Sequence, residues 1–306
     1  MPISFSGYLK HIRQDMELTQ QQLIEILIER STKFTKLDLT TYSRWERGIT
    51  TPKLSKQILI ARLLGYDPAS LVDPNSKISL KKHIIFEQAK QSRFNPYGQN
   101  FSSLTSSMHK KLAQSSETYE QLNTFHRQHM GLDLNVESLD GEKILISSFC
   151  DSIGKMEGHL LYGYVPITLE NRLLKPNNLA ECKFVDLTES TSAPLDMYVI
   201  SGYSNLQEPK MLTLLFILDA LRKKPNIKNV YINCHNQAFY NVYEENFGAK
   251  ITFKGNTVLF GGVKVFGRHY QFVQMKASSE DILSSTVVAD LVPFTDSHIC
   301  NLTNGR

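Results

Sequence analysis

The chain has 306 residues, 41% hydrophobic and 21% charged, which bounds it to a soluble globular protein of about two ordinary domains and excludes fibrous or disordered classes. No apolar run reaches the roughly 18 residues of a membrane helix, and no basic-then-apolar leader opens the sequence; the expectation is no membrane partner. Four cysteines without a CxxC pair fit reduced thiols in a cytoplasm, and the net charge of +4 is uneven: residues 1–93 hold 15 Lys and Arg against 9 Asp and Glu, the remainder 19 against 21. A basic first third suits a polyanionic partner.

Apolar residues at helical spacing, Tyr8, Leu9, Ile12 and Met16, predict a first helix over residues 5–16. Thr19 is the expected N-cap of a second, with Leu23, Ile24, Leu27 and Ile28 as its apolar face. Asp38 can cap a third, Leu39 to Arg47, which Gly48 ends, and a fourth runs from Leu54 to Leu64 with Gly65 as its stop. Asp67-Pro68 opens a short fifth one, ending near Val72. Residues 76–106 are the expected linker, with a helix over Ile78 to Lys90 and then the Gly, Pro, Ser and Asn of Ser92 to Ser103. Met108 to His129 reads as helical. Strands are expected at Lys143–Phe149, Leu160–Val165, Met197–Tyr203, Val230–Asn233, Ile251–Phe253, Val258–Phe266 and Tyr270–Met275, with helices Lys210–Lys224 and Gln237–Asn246 between them. The tail from Ala277 has no clear pattern. The fold class expected is multidomain: an all-α helix-turn-helix bundle over 1–75, then an α+β domain over 107–276 with a mostly antiparallel sheet, and a tail over 277–306.

The third helix carries the chemistry of the first domain. Leu39, Thr40, Ser43 and Arg44 face outward on its early turns, while Tyr42 and Trp45 point into the bundle. An arginine there can grip guanine O6 and N7 as a fork, and Leu39 and Thr40 can meet a thymine methyl. Gln20 and Gln21 open the supporting helix, where amide donors and the helix dipole favour a phosphate. Lys33, Lys36, Arg47 and Lys53 are further candidates for phosphate contacts.

Arg13, Thr19-Gln20, Leu23, the run Tyr42 to Gly48, Pro52 and Leu63-Leu64-Gly65-Tyr66 make residues 7–72 resemble the helix-turn-helix domain of the lambda-repressor/Cro family. The resemblance implies double-stranded DNA as partner, a homodimer, base readers at Leu39, Thr40 and Arg44, and an ion pair of Arg13 with Glu46. The chain departs from the family between Leu23 and Glu46, which is longer by about eight residues and lacks the usual turn glycine.

The second domain orders strand, strand, strand, long helix, strand, helix, strand, strand, and resembles the GNAT acyltransferase superfamily over residues 140–276. That resemblance implies that Asn236 and Tyr243 lie near an acyl-CoA thiol, with Tyr243 as candidate general acid toward the leaving thiolate. Yet the turn that should cradle the pyrophosphate, Gln207 to Leu212, has no glycine; Pro209 removes a donor, Glu208 adds negative charge, and only Lys210 compensates. Acyl-homoserine-lactone synthases share the fold and also lack those glycines, so an acyl donor is not excluded.

Other constellations carry less. His126 and His129 share a helical face without an obvious Glu or Cys partner, so no metal is expected. Cys234 and His235 are adjacent near a strand end, where successive side chains point to opposite faces. Gly261-Gly262 reads as a hairpin turn. The reading is a DNA-binding transcription regulator with a non-catalytic domain for ligand sensing, dimerisation or partner binding, answering to a small-molecule or protein regulator. No cofactor is required of it, although acyl-CoA or a similar acyl ligand fits. The alternative is an N-acyltransferase fused to a DNA-binding module.

Overall fold

The computed structural model describes residues 4–91, 105–111, 117–133, 143–151, 153–167, 174–187 and 193–304. Helices α1 (Phe5–Asp15), α2 (Gln20–Arg30), α3 (Leu39–Glu46) and α4 (Leu54–Leu64) form a bundle. Local chemistry sets their ends. Thr19 and Gln22 make a reciprocal capping box on α2, the Thr41 N–H donates to Asp38 at 2.6 Å on α3, and Gly65 closes α4 in the left-handed conformation at φ 83°. A 3-10 turn, Thr32–Phe34, joins α2 to α3 and buries Phe34 among Leu9, Leu23, Leu27, Tyr42 and Ile60. That anchored aromatic occupies the glycine-free connection between the two helices.

After a 3-10 turn at Pro68–Leu71, helix α5 (Leu80–Gln91) leaves the bundle; the proline- and serine-rich part of the expected linker lies outside the described residues. Strand β1 (Thr105–Lys111), helix α6 (Glu117–Met130) and strands β2 (Leu145–Cys150), β3 (Met156–Pro166) and β4 (Leu195–Ser204) follow. Then come α7 (Gln207–Lys223), β5 (Ile227–Cys234), α8 (Gln237–Glu245) and β6 (Lys250–Lys254). The chain ends with β7 (Thr257–Val258), β8 (Val263–Val265), β9 (Arg268–Tyr270), β10 (Val273–Ser278), α9 (Ser279–Leu283) and α10 (Thr295–Asn304). Seven strands make one sheet in the order β1-β2-β3-β4-β5-β10-β6, antiparallel throughout except where β4 lies parallel to β5 across α7. The molecule is thus a helical region followed by an α+β region with a mixed, mainly antiparallel sheet.

Both faces of the sheet are covered. Met197, Val199 and Val230 join α7, α8 and α9 in one core, whereas Tyr198, Ile200 and Tyr231 join Leu122 of α6 in another. Burial on both sides explains why β3 and β4 read as continuous apolar runs rather than alternating ones.

Three sequence expectations are corrected. Met108 to Lys111 is not helical: it belongs to β1, which pairs with the free edge of β2, Ser107 opposite Ser148, and the helix starts only at Glu117. The expected strand Val258–Phe266 is two short strands in a separate three-stranded sheet of order β7-β9-β8. Its hairpin turn is Phe266-Gly267, both at positive φ (48° and 82°), and not Gly261-Gly262. Those two glycines lie in the β7–β8 connection, where a Cβ on Gly262 would sit 2.0 Å from the Tyr270 carbonyl oxygen. The patternless tail is ordered, with Ile282, Leu283, Val287, Val288 and Val292 buried in the main core.

The two regions are locked together. Arg62 of α4 is buried, donating to Glu280 of α9 and to the carbonyls of Leu221 and Ile227. Arg222 of α7 forks onto Asp67 with three hydrogen bonds of 2.6–2.9 Å.

Candidate functional site

On α3 the outward side chains are Leu39 (47% exposed), Thr40, Arg44 and Arg47, with Ser43 half-buried. Tyr42, Trp45 and Glu46 turn inward. Glu46 is the fastener: it accepts from Arg13 Nε at 2.9 Å, Arg13 Nη2 at 2.7 Å and Gln20 Nε2 at 2.6 Å, tying α1, α2 and α3 at one point. The Gln20 amide therefore works inside the bundle, and Gln21 Nε2 donates to Glu25 one turn on. Lys36 and Lys53 are exposed, whereas Lys33 Nζ lies 3.9 Å from Glu280 Oε2 and so borders the second region. Arg47 Nε donates to the Ser43 carbonyl, leaving Arg44 as the arginine at the centre of the outward face.

A second concavity lies where β4 and β5 part. Their pairing runs from Leu195 opposite Ile227 to Val199 opposite Ile232 and then stops, although β4 continues to Ser204. Asn233 closes the apex of the gap, its amide donating to the Ile200 carbonyl at 3.0 Å and to the Tyr198 hydroxyl at 2.8 Å. Beyond it opens a narrow cleft of about 90 Å³, lined by apolar groups of α5, α7 and α8 and by Lys90, Tyr203, Lys210, His235, Asn236 and Tyr243. The structure thus brings Lys210, Asn236 and Tyr243 to one cavity. Asn236 spends its side-chain oxygen capping α8, accepting from Ala238 N at 2.8 Å and Phe239 N at 3.2 Å. Burial raises the Tyr243 phenol far above its ordinary value, and its ring lies between Phe239 and Phe247. Helix α7 starts after Leu206, whose side chain gives no capping hydrogen bond, and carries Glu208 in its first turn.

On the opposite face of the gap, α6 sets Phe125 against Tyr203 and His235, with ring centroids 5.1 and 5.2 Å away. His129 lies 5.8 Å from His235 and stacks on Tyr203 at 6.0 Å, and His159 of β3 meets Phe125 at 4.7 Å and shares a hydrogen bond of 2.9 Å with Ser201. Burial pushes His126 down to about 4, offset in part by the Leu122 carbonyl, and His235 down to about 3 through burial and the neighbouring imidazoles. His159 and His129 are lowered by burial as well. Four imidazoles are therefore held uncharged. Sequence reasoning missed His159 and Tyr203 and took His126 and His129 as an ordinary pair; only the strand order brings them together. Among the described residues no group of three His, Cys, Asp or Glu could hold a metal.

No protein-family model and no curated protein matches the sequence. Among solved structures, Arabidopsis thaliana NAA60 in complex with a bisubstrate analogue aligns at 10% identity and a TM-score of 0.36, covering 57% of this chain and 99% of that one. At that score the likeness carries no argument about this protein. No helix among the described residues is long and apolar enough to cross a membrane.

Proposed function

We propose that the protein is a sequence-specific DNA-binding transcription regulator acting in the cytoplasm as a homodimer, with a GNAT-like second domain that senses a ligand. One observation carries the reading: Leu39, Thr40 and Arg44 project together from a helix whose inner face is fixed by Tyr42, Trp45 and the Glu46–Arg13 pair. A helix so presented fits the major groove, where Arg44 can grip guanine as a fork and Lys36, Arg47 and Lys53 can reach phosphates. Two copies would read half-sites about one helical turn apart, roughly 34 Å. Genome-wide mapping of bound sites tests this: paired half-sites at that spacing support it, and no enrichment of any sequence refutes it.

The parted β4 and β5 favour a second reading, an N-acyltransferase. In it Tyr243 would give a proton to the leaving thiolate and an uncharged imidazole such as His129 would take one from the acceptor amine. Against it stands the start of α7, where Glu208 and Pro209 replace the amide cradle that a pyrophosphate needs. Thermal shift with CoA and acyl-CoA separates the two readings, since stabilisation lost in Tyr243→Phe would favour the enzyme.

A further inference from the structure

The three-stranded sheet β7-β9-β8 stands on the end of the main sheet where β6 stops at Lys254 and β10 starts at Val273. It is firmly anchored: Val263 and Val265 are buried in the main core, and the Lys264 N–H donates to the Gln237 side chain at 2.6 Å. The segment that leaves β7 is held as well, with the Gly261 carbonyl 2.8 Å from His269 Nδ1. On this fixed base three large apolar side chains face water. Leu259 is 94% exposed, Phe260 83% and Phe266 95%. Leu259 and Phe260 follow Val258, which pairs with His269, and Phe266 lies in the turn between Val265 and its partner Arg268, so all three flank one end of the small sheet. Lys254 Nζ sits beside them, 5.6 Å from the centroid of the Phe266 ring and 5.3 Å from that of Tyr270.

A single exposed leucine needs no explanation, but a projecting cluster of this kind marks a contact surface. Its charge says what it contacts. Between Glu245 and Glu280 the chain carries Lys250, Lys254, Lys264, Arg268 and Lys276, and no Asp or Glu. The neighbouring carboxylates of α8 are engaged elsewhere, Glu244 by Tyr240 and Glu245 by Lys81. The matching partner is negative at its surface and apolar beneath. A phosphate backbone offers charge but nothing for Leu259, and a second copy would set its own cations against these. A bilayer of anionic lipids offers both, with head groups for the cations and acyl chains within about 5–10 Å for the apolar tips. The small sheet also lies away from the bundle: β10 runs from it for roughly 20 Å to Ser278 before Glu280 meets Arg62.

We propose that this small sheet docks the protein on an anionic membrane surface. Leu259, Phe260 and Phe266 enter the head-group boundary, and Lys254, Lys264 and Arg268 pair with lipid phosphates. Docking needs no crossing helix; it revises the expectation of no membrane partner, which rested on spanning segments and leaders. It is independent of the DNA-binding reading.

The test is co-sedimentation of the full-length protein with vesicles of phosphatidylcholine alone and of phosphatidylcholine with phosphatidylglycerol, at low and high salt. The protein should bind the anionic vesicles, more weakly as salt rises, and leave the neutral ones in suspension unbound. Lys264→Glu with Arg268→Glu, and Leu259→Ser with Phe260→Ser, should each weaken binding about ten-fold or more at an unchanged melting temperature, since all four side chains are exposed. Phe266→Asn, which suits the positive φ of that turn, replaces the second pair if it does not fold. The bundle is basic too, so insertion is read separately: Phe260→Trp should be quenched by phosphatidylglycerol brominated on its acyl chains, beyond the quenching of Trp45 in the wild type. No binding to anionic vesicles, binding that both double variants leave intact, or no added quenching at position 260 overturns the proposal. So does a dimer that Leu259→Ser with Phe260→Ser dissociates in light scattering, which would make a second copy the occupant. An equal loss of affinity for random duplex DNA in the same variant would make the surface a nucleic-acid contact and overturn it as well.

Discussion

Arg62 Nε stands 3.2 Å from Glu280 Oε1 across 218 residues of chain, with the two side chains only 1% and 6% exposed. The guanidinium would be intolerable there alone. It is held by Glu280 and by carbonyls at the end of α7 and the start of β5, so the bundle and the sheet region share one sealed ionic joint. Removing one partner of a buried pair strands the other charge, at a cost of about 3–5 kcal/mol. Arg62→Ala should therefore lower stability by that order in urea unfolding. The double change Arg62→Ala with Glu280→Ala should cost less than the sum of the single changes; simple additivity would show that the pair is not coupled.

The histidines give the fold an acid limit. Unfolded imidazoles titrate near 6.5, whereas His126 and His235 titrate at about 4 and 3 in the folded protein. Between these values the unfolded chain binds more protons, so the contribution is whole above about pH 6.5 and declines as pH falls toward 4. Each such histidine adds a slope of about 1.4 kcal/mol per pH unit in that window. The groups facing His126 are Phe125 and His159, with His129 and His235 close by. His126→Phe should flatten the stability profile between pH 6 and 5 by about one such slope. An unchanged profile would place the titration elsewhere.

Much of the helical region was legible because its signals are local. Thr19, Asp38 and Gly65 act on groups within four residues, and helix ends fall where those residues stand. The sheet region was legible where burial on both faces made long apolar runs, as in β3 and β4. Elsewhere a distant partner decided the outcome. Met108 to Lys111 is a strand only because β2 offers an edge, and the tail is ordered because Ile282 and Val288 fill space beside α7 and α4. The imidazole cluster could not be foreseen, since α6, β3 and the end of β5 each supply members. Nor could the sequence show that Glu46 would take the Gln20 amide away from the phosphate-facing side.

Thiol chemistry gives an independent check on the packing. Cys300 is exposed, while burial pushes the Cys182 and Cys234 thiols up to about 12. A thiol reagent at pH 8 should label Cys300 first in the native protein and reach Cys182 and Cys234 only on unfolding. Rapid native labelling of Cys234 would contradict its burial at the wall of the cleft between β5 and α8.

The DNA-reading face is tested most directly by binding of the wild type and Arg44→Ala to the mapped site and to a random duplex of equal length, at one salt concentration. The account predicts a loss of about 1–3 kcal/mol on the mapped site and a much smaller loss on random DNA. Equal losses on both, or none on either, would contradict base reading by α3.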